Sequence, residues 1–196
     1  MKHLVIPFIL LAALASWAAN PHLAVVARKN VAAGGGCATS QDAELAANAY
    51  SVDQSANAKT WMATKFTAGG SYTVCAVDLY LSKTLTPTDD LYCYIYSHDG
   101  AEDDPDALVG TGSNVVAPGV VTGSEAAVQF TGMSAALTSG TTYWVVFKDG
   151  FLDSSNYITI HGTDGAVERI CQDADGAGTW GVTATGKTLK YQLYSE

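Results

Sequence analysis

Residues 71–97 alternate between apolar and polar or aromatic side chains, and this pattern constrains the fold more than any other feature. One face carries Cys75, Val77, Leu79 and Leu81 in the first run and Leu91, Cys93 and Ile95 in the second. Successive side chains of a strand point to opposite sides, so each run predicts a strand with one aliphatic face. The turn-forming residues 86–90 predict that the two strands form a β-hairpin, whose aliphatic face must pack against a second layer.

Short strand-like runs separated by turn residues continue along the chain. The predicted strands are residues 61–67, 72–81, 91–97, 110–116, 126–131, 142–148, 157–161, 166–171 and 188–194. After Gly36, helical periodicity occurs only in the short stretch 41–49. Many short strands without intervening helices predict an all-β, two-sheet antiparallel β-sandwich. A jelly roll is the favoured topology, and an immunoglobulin-like sandwich is the alternative.

The N-terminal residues predict a signal peptide followed by a flexible segment. Residues 1–19 combine Lys2 with an apolar run and small residues at a cleavage position. The apolar run is shorter than the roughly 20 residues that a membrane anchor, the alternative, needs. The glycines at the end of residues 20–36 predict a linker or tether, although a strand docking on a neighbouring copy is also consistent. Residues 37–196 then form one sandwich domain.

The charge balance limits the kinds of molecule that the chain is expected to bind. The formal net charge is −9, and it becomes −10 when the signal peptide with Lys2 is removed. An acidic chain with so few basic residues lacks the positive surface that binds nucleic acid or anionic lipid. No segment after the signal predicts a membrane span. The composition therefore predicts a secreted, extracellular or cell-surface protein.

Several sequence segments resemble secreted β-sandwich modules known only as choice-of-anchor domains. The matching segments are Phe66-Thr67, residues 79–83 (LYLSK), 86–88 (TPT), 95–97 (IYS), 137–146 (LTSGTTYWVV) and 154–158 (SSNYI). The resemblance covers residues 61–194 and implies a secreted β-sandwich. It implies little about molecular function, because that family is named for how its members are held at the surface.

The four cysteines predict two disulfides. Cys37, Cys75, Cys93 and Cys171 all follow the predicted signal, and their number is even, as expected in an oxidising compartment. The sequence alone does not select among the three pairings. We favour Cys37 with Cys75 and Cys93 with Cys171. The absence of close pairs such as C-x-x-C argues against a zinc site.

Aromatic side chains are the candidate ligand-binding residues. Sugars stack their apolar C–H faces on exposed rings, and one face of a strand presents rings at regular spacing. The candidates are Tyr80, Tyr92, Tyr94, Tyr96, Trp61 and Trp180. The alternative is that the tyrosines simply cover a sheet, since tyrosine is a common strand former with a polar tip. Trp144, which lies between strand-forming residues, is predicted to be in the core.

Two acidic loops are candidate calcium sites, because clustered carboxylates supply the oxygen ligands that calcium prefers. The first loop offers Asp99, Asp103 and Asp104, and the second offers Asp173 and Asp175. The second loop lacks the terminal Glu of an EF-hand. The alternative for both loops is a solvated acidic turn, and no other cofactor is predicted.

Catalytic motifs are missing from the sequence. Ser134 lacks the last glycine of a nucleophile elbow, and His98 and His161 lack metal-ligand spacing. The sequence therefore predicts a non-catalytic surface, structural or adhesive module that binds glycans, proteins or further copies of itself. A carbohydrate-binding module is the alternative function, and a small secreted hydrolase is the third.

Overall fold

The computed structural model describes residues 37–46, 50–53, 61–110, 114–149, 155–173 and 178–196. They form two antiparallel sheets packed against each other, which confirms the predicted all-β sandwich. The strands are β1 (Thr39–Glu44), β2 (Tyr50–Asp53), β3 (Trp61–Thr67), β4 (Tyr72–Thr84), β5 (Leu91–Asp99), β6 (Asp104–Leu108), β7 (Asn114–Val116), β8 (Ala126–Leu137), β9 (Thr142–Asp149), β10 (Tyr157–Asp173), β11 (Gly181–Leu189) and β12 (Tyr191–Ser195).

A single 3₁₀ turn, Pro118–Val120, is the helical element of the described chain. Within those residues, no helix has the length and apolar character needed to cross a membrane. The predicted signal peptide, residues 1–19, and the predicted tether, residues 20–36, lie outside the described residues. The jelly-roll topology stays a prediction.

The first sheet is built around β4 and is called the β4 sheet. One edge of β4 pairs with β8, and its other edge pairs with β12 and with the first residues of β10. β1 pairs with the far side of β12, and β2 pairs with β10. All of these pairs are antiparallel.

The second sheet is built around β9 and is called the β9 sheet. β9 lies between β3 and β5, and the last residues of β10 pair with the outer edge of β3. β6 and β7 pair with β5 at the opposite end of the sheet. β11 pairs with β10 from Gly162 to Gln172.

β10 belongs to both sheets. Residues 157–160 pair with β4, and residues 170–173 pair with β3, so hydrogen bonding continues from one layer into the other. The two predicted strands 157–161 and 166–171 are therefore parts of one 17-residue strand. A strand that changes sheets places the two layers in a fixed relation to each other.

The core lies between the two sheets and follows the period-two pattern of the sequence. The β4 sheet contributes Val77, Leu79, Leu81, Phe130, Ile158, Ile160 and Leu193, and the β9 sheet contributes Met62, Phe66, Leu91, Ile95, Val145 and Phe147. Phe130 meets Phe147 edge to face across the interface, with ring centroids 6.4 Å apart. Burying each such side chain contributes about 1.5–3 kcal/mol.

The predicted hairpin of residues 71–97 is wrong, although both of its strands form. β4 and β5 lie in different sheets, and neither pairs with the other among the described strands. Their aliphatic faces meet from opposite sides of the core, as the burial of Leu79 and Leu91 shows. The connection 85–90 crosses between layers, with Pro87 buried in it. The alternation alone does not distinguish a hairpin from a crossover, because both bury the same faces.

Three further predictions of secondary structure differ from the structure. The stretch 41–49, with its helical periodicity, contains the end of β1 rather than a helix. Residues 104–108, predicted as part of an acidic loop, form edge strand β6. The single predicted strand 188–194 is divided between β11 and β12. All these segments are short or lie at edges, where main-chain pairing with a distant strand outweighs local preference.

A β-bulge in β4 explains one disulfide. The pairing of β4 with both β8 and β12 shifts register between Val74 and Ala76. Val74 and Val77 consequently both enter the core, and Cys75 leaves the face that the alternation assigned to it. Cys75 instead bonds to Cys37, with their Cα atoms 5.8 Å apart, which confirms this pairing. The bridge fixes the start of the described chain to the centre of the β4 sheet.

The predicted second disulfide is absent, because Cys93 and Cys171 are both buried and reduced. Cys93 lies on β5 and faces the core between the sheets, whereas Cys171 on β10 belongs to a cluster on the outer face of the same sheet. β3 and β9 lie between their strands. Three steps of about 4.8 Å separate such strands by roughly 14 Å, well beyond the reach of a disulfide.

This arrangement predicts that two of the four cysteines carry thiols. Alkylation of the denatured, unreduced protein should add two labels by intact mass, at Cys93 and Cys171. Without denaturant, labelling should be slow, because burial raises the pKa of the Cys93 thiol and shields it from reagent. Finding no labelled cysteine would show that a second bridge forms.

Asp42 holds β1 against the loop before β4. Its carboxylate accepts the Tyr72 hydroxyl at 2.6 Å and the backbone N–H of Gly69 at 3.0 Å. Burial and then the hydrogen bond to Asp42 raise the pKa of Tyr72. The contact lies close to the Cys37–Cys75 bridge in sequence, so both features attach the same strand.

Tyr72→Phe should lower the free energy of unfolding by about 1 kcal/mol, because it deletes one hydrogen bond to a charged acceptor while keeping the ring. Urea denaturation monitored by circular dichroism measures the change. Tyr92→Phe, at a half-buried ring of the other sheet, is the matched control and should change stability less. Equal losses in the two variants would contradict a specific role for the Asp42 contact.

Candidate ligand-binding surface

The outer face of the β9 sheet carries three rows of side chains across neighbouring strands. The first row is Asp173, Trp61, Lys148 and Tyr92, the second is Cys171, Ala63, Val146 and Tyr94, and the third includes Lys65, Trp144 and Tyr96. Each row follows from strand register, since residues directly opposite each other share a face. Tyr92, Tyr94 and Tyr96 therefore point away from the core, as predicted.

The large rings of these rows, with Trp180 just before β11, form one group that we call the aromatic surface. It consists of Trp61, Tyr92, Tyr94, Tyr96 and Trp180. Tyr94 lies 6.4 Å from Trp61 and 6.3 Å from Tyr92 between ring centroids, with interplanar angles of 18° and 5°. Trp180 and Tyr96 meet their neighbours edge to face. Three nearly parallel ring planes thus lie side by side on one sheet face.

Beneath these rings lies a second, small apolar cluster. Ala63, Trp144, Val146 and Cys171 are buried there, and Trp61, Tyr94, Tyr96 and Trp180 pack on them. The rings are consequently half-buried and keep part of their surface in water. The tyrosines therefore cover the sheet and also present part of their ring surface to solvent.

Trp144 shows why the two faces of β9 are hard to assign from sequence. It is fully buried, as predicted, but in the outer cluster and not between the sheets. Its indole Nε1 donates a hydrogen bond to Nδ1 of His98 at 3.3 Å. Both faces of β9 are buried, so its sequence is a continuous apolar run without alternation.

Lys148 adds a positive charge to the aromatic surface. Its Nζ lies 4.7 Å from the centroid of the Trp61 ring and 5.5 Å from that of Tyr92. An ammonium group over a ring face is attracted by the ring quadrupole. Sequence reasoning missed Lys148, because only the pairing of β9 with both β3 and β5 places it between two rings.

A carboxylate lies beside the rings, on the opposite side of Trp61 from Lys148. Asp173 is fully buried beside Trp61 in register, and one of its oxygens accepts the Gly178 N–H at 2.7 Å. Burial raises the pKa of Tyr96, and the neighbouring Tyr94 and Asp173 raise it further. The buried indole N–H of Trp61 has no hydrogen-bond partner among the described residues. The Asp173 carboxylate and the Trp61 indole N–H are therefore buried beside the rings.

Tyr80 does not join this surface, contrary to the prediction. It lies on β4, on the outer face of the other sheet, and only the assumed hairpin placed it beside Tyr94. Trp61, predicted only as a loop-flanking aromatic, stacks on Tyr94, and Trp180, predicted in the same way, meets Trp61 edge to face. The structure thus brings together five of the six predicted ligand-binding residues.

The first acidic loop is organised by hydrogen bonds and an ion pair within the protein. The Asp99 carboxylate accepts the backbone N–H of Ala101 at 2.7 Å, and Asp103 forms an ion pair with Lys65 at 2.8 Å. Asp104 starts β6 and pairs with Asp99. Among the described residues, no group of three or more His, Cys, Asp or Glu side chains could hold a metal ion. The calcium prediction for Asp99, Asp103 and Asp104 therefore gains no support from this loop and stays a prediction.

In the second acidic loop, Asp173 ends β10 and is buried at the edge of the aromatic surface. Asp175 lies outside the described residues. The described part of this loop therefore presents one carboxylate, which accepts a backbone N–H, and the calcium prediction for the pair stays a prediction.

Comparison with known proteins gives no relative: no family model matches the chain, and no curated protein matches it significantly.

The raised pKa of Tyr96 predicts a stability loss at alkaline pH. The Tyr96 hydroxyl keeps its proton to a higher pH in the folded chain than in the unfolded chain. Its contribution to the free energy of unfolding is therefore complete below about pH 10, the usual pKa of tyrosine, and is lost as the pH rises through the higher pKa of the folded chain. Tyr96→Phe should flatten the fall of unfolding free energy between about pH 9 and about pH 11. Denaturant titrations across that range measure it.

The same two proteins near pH 7 provide the control, because both side chains are then neutral. Any difference seen there reports the lost hydroxyl and not its ionisation. Parallel curves for wild type and Tyr96→Phe up to about pH 11 would contradict the raised pKa.

Proposed function

We propose that this chain is a secreted β-sandwich module that acts at a surface by binding glycans on its aromatic surface. The observation that carries the proposal is the set of nearly parallel rings of Trp61, Tyr92 and Tyr94. Sugars present apolar C–H faces that stack on aromatic rings, and their hydroxyls require hydrogen-bonding groups at the rim. Tyrosine hydroxyls and Lys148 supply such groups.

The packing of the rings favours binding. Ala63 and Val146 lie buried beneath them, so the ring positions are fixed before a ligand arrives. A preorganised surface loses less side-chain entropy on binding than a mobile one. An aromatic patch that remains partly in water is also a typical interaction site. These points support binding over a purely structural covering of the sheet.

The proposed secretion has separate support. The Cys37–Cys75 disulfide is typical of proteins that fold in an oxidising compartment. The acidic net charge of −9 and the resemblance to choice-of-anchor modules are consistent with an extracellular protein. A role in adhesion would follow if the bound glycan belongs to a surface.

A glycan array followed by titration of tryptophan fluorescence tests the proposal. Trp61→Ala should weaken binding of any glycan hit about tenfold or more, since a central aromatic anchor commonly contributes over 1 kcal/mol. Tyr92→Ala is a second variant that leaves the ring packing on Val146 intact, and it should also weaken binding. Tyr80→Ala, on the other sheet, is the matched control and should bind normally.

An array without hits, or equal binding by wild type, Trp61→Ala and Tyr92→Ala, would contradict the proposal. Size-exclusion chromatography of the same variants tests the remaining possibility, which is self-association through the aromatic surface. A wild-type dimer that Trp61→Ala converts to monomer would assign the aromatic surface to self-association and not to glycans.

A further inference from the structure

A serine, a histidine and a glutamate meet on the outer face of the β4 sheet. The Ser82 Oγ lies 2.8 Å from Nε2 of His161, and Nδ1 of the same ring lies 3.4 Å from Oε2 of Glu125. The other oxygen of Glu125 pairs with Nζ of Lys190 at 2.8 Å. The imidazole is thus held between a hydroxyl and a carboxylate.

Strand register fixes the two central members. Leu81 of β4 pairs with Ile160 of β10, and both side chains enter the core. The next residue of each strand, Ser82 and His161, therefore points outward. The carbonyl of His161 also accepts the N–H of Lys190 at 2.9 Å, so a third segment holds the histidine backbone.

Glu125 comes from a connection that is tied to the same sheet edge. The Lys83 N–H donates to the Thr122 carbonyl at 2.9 Å, and Lys83 Nζ donates to the Pro118 carbonyl at 3.3 Å. These bonds bring the connection before β8 next to the end of β4. Glu125 thereby reaches Nδ1 of the His161 ring, on the side away from Ser82.

We propose that Ser82, His161 and Glu125 form a hydrolytic site for carboxylic esters. An activated nucleophile requires a base within hydrogen-bond reach and a third group that orients the base, and these three residues have that arrangement. The Ser82–His161 distance lies within the usual range, and a longer base–carboxylate contact is common without substrate. This inference goes beyond the proposed glycan binding and does not depend on it, because the aromatic surface lies on the other sheet.

The reaction follows from these positions. Ser82 Oγ attacks the ester carbonyl and transfers its proton to His161 Nε2, and the resulting imidazolium protonates the departing alcohol. The acyl group is then bonded to Ser82. A water molecule gives a proton to His161 and attacks this acyl group, which leaves as a carboxylic acid while Ser82 recovers its proton. No other reactant is needed.

The two charged residues beside the histidine are Glu125 and Lys190. Glu125 is a positioning residue: its carboxylate accepts a hydrogen bond from the Nδ1–H, which leaves Nε2 as the acceptor for Ser82, and it stabilises the imidazolium. Lys190 pairs with the second oxygen of the same carboxylate at 2.8 Å and so holds Glu125 in place.

Exposure defines the substrate class. The His161 side chain is 18% exposed and that of Glu125 is 34% exposed, so solvent reaches the site in part. A partly exposed site on a sheet face suits a small acyl group carried by a larger alcohol. An acetyl ester is therefore the appropriate probe.

No sequence motif predicts this site. Ser82 and His161 are 79 residues apart, and Ser82 lies within a strand and not at a strand-to-helix turn. Only the pairing of β4 with β10 brings them together.

A fluorophosphonate probe and p-nitrophenyl acetate test the proposal on the purified full chain. We expect one covalent label per molecule by intact mass, located at Ser82 by peptide mapping, and saturable release of p-nitrophenol. Ser82→Ala should abolish the label, and Ser82→Ala and His161→Gln should each lower kcat/KM about 100-fold or more. Ser97→Ala is the matched control, since Ser97 hydrogen-bonds Asp106 and not a histidine, and it should retain both activities.

Glu125→Gln should lower kcat with little change in KM, and Glu125→Asp should restore part of the loss. A purely structural carboxylate would not produce that pattern. Circular dichroism confirms that each variant is folded. Absence of labelling in wild type, or labelling that persists in folded Ser82→Ala, would overturn the proposal, whatever the result of the glycan array.

Discussion

Burial of one face of each sheet against the other is the interaction on which the rest of this structure depends. Side chains such as Leu79, Phe130, Leu91 and Phe147 leave water together only when the β4 and β9 sheets stack. At about 25 cal/mol per Å² of apolar area, this interface is the largest favourable contribution to folding. Strand β10 supports it by hydrogen-bonding to both sheets, so neither layer can slide without breaking main-chain pairs.

Because the core uses alternate residues, each sheet has an outer face with its own chemistry. The β9 sheet places small residues, Ala63 and Val146, at the centre of its outer face and large rings around them, so the rings fold over the centre. The β4 sheet places polar side chains outward, including Ser82 and His161. The sandwich thus separates the aromatic surface from a polar cluster, and each can change without repacking the core.

The start of the described chain is held by two different interactions. A covalent bridge joins Cys37 to Cys75, and the Asp42 carboxylate binds Tyr72 and Gly69 nearby. A disulfide acts mainly by restricting the unfolded chain, whereas the hydrogen bonds stabilise the folded one. Their combination keeps β1 paired with β12 at the edge of the β4 sheet.

The sequence by itself determined the all-β class, most strand positions, the inward face of Leu91 and Ile95 and the outward face of the tyrosines, because side chains of a strand alternate regardless of its partners. Only the tertiary structure decided which strands pair. It separated β4 from β5, and it placed Cys93 and Cys171 on opposite faces. It also brought Trp61 beside Tyr94 and Ser82 beside His161. Such contacts join residues far apart in sequence, and no local pattern encodes a partner strand or its register.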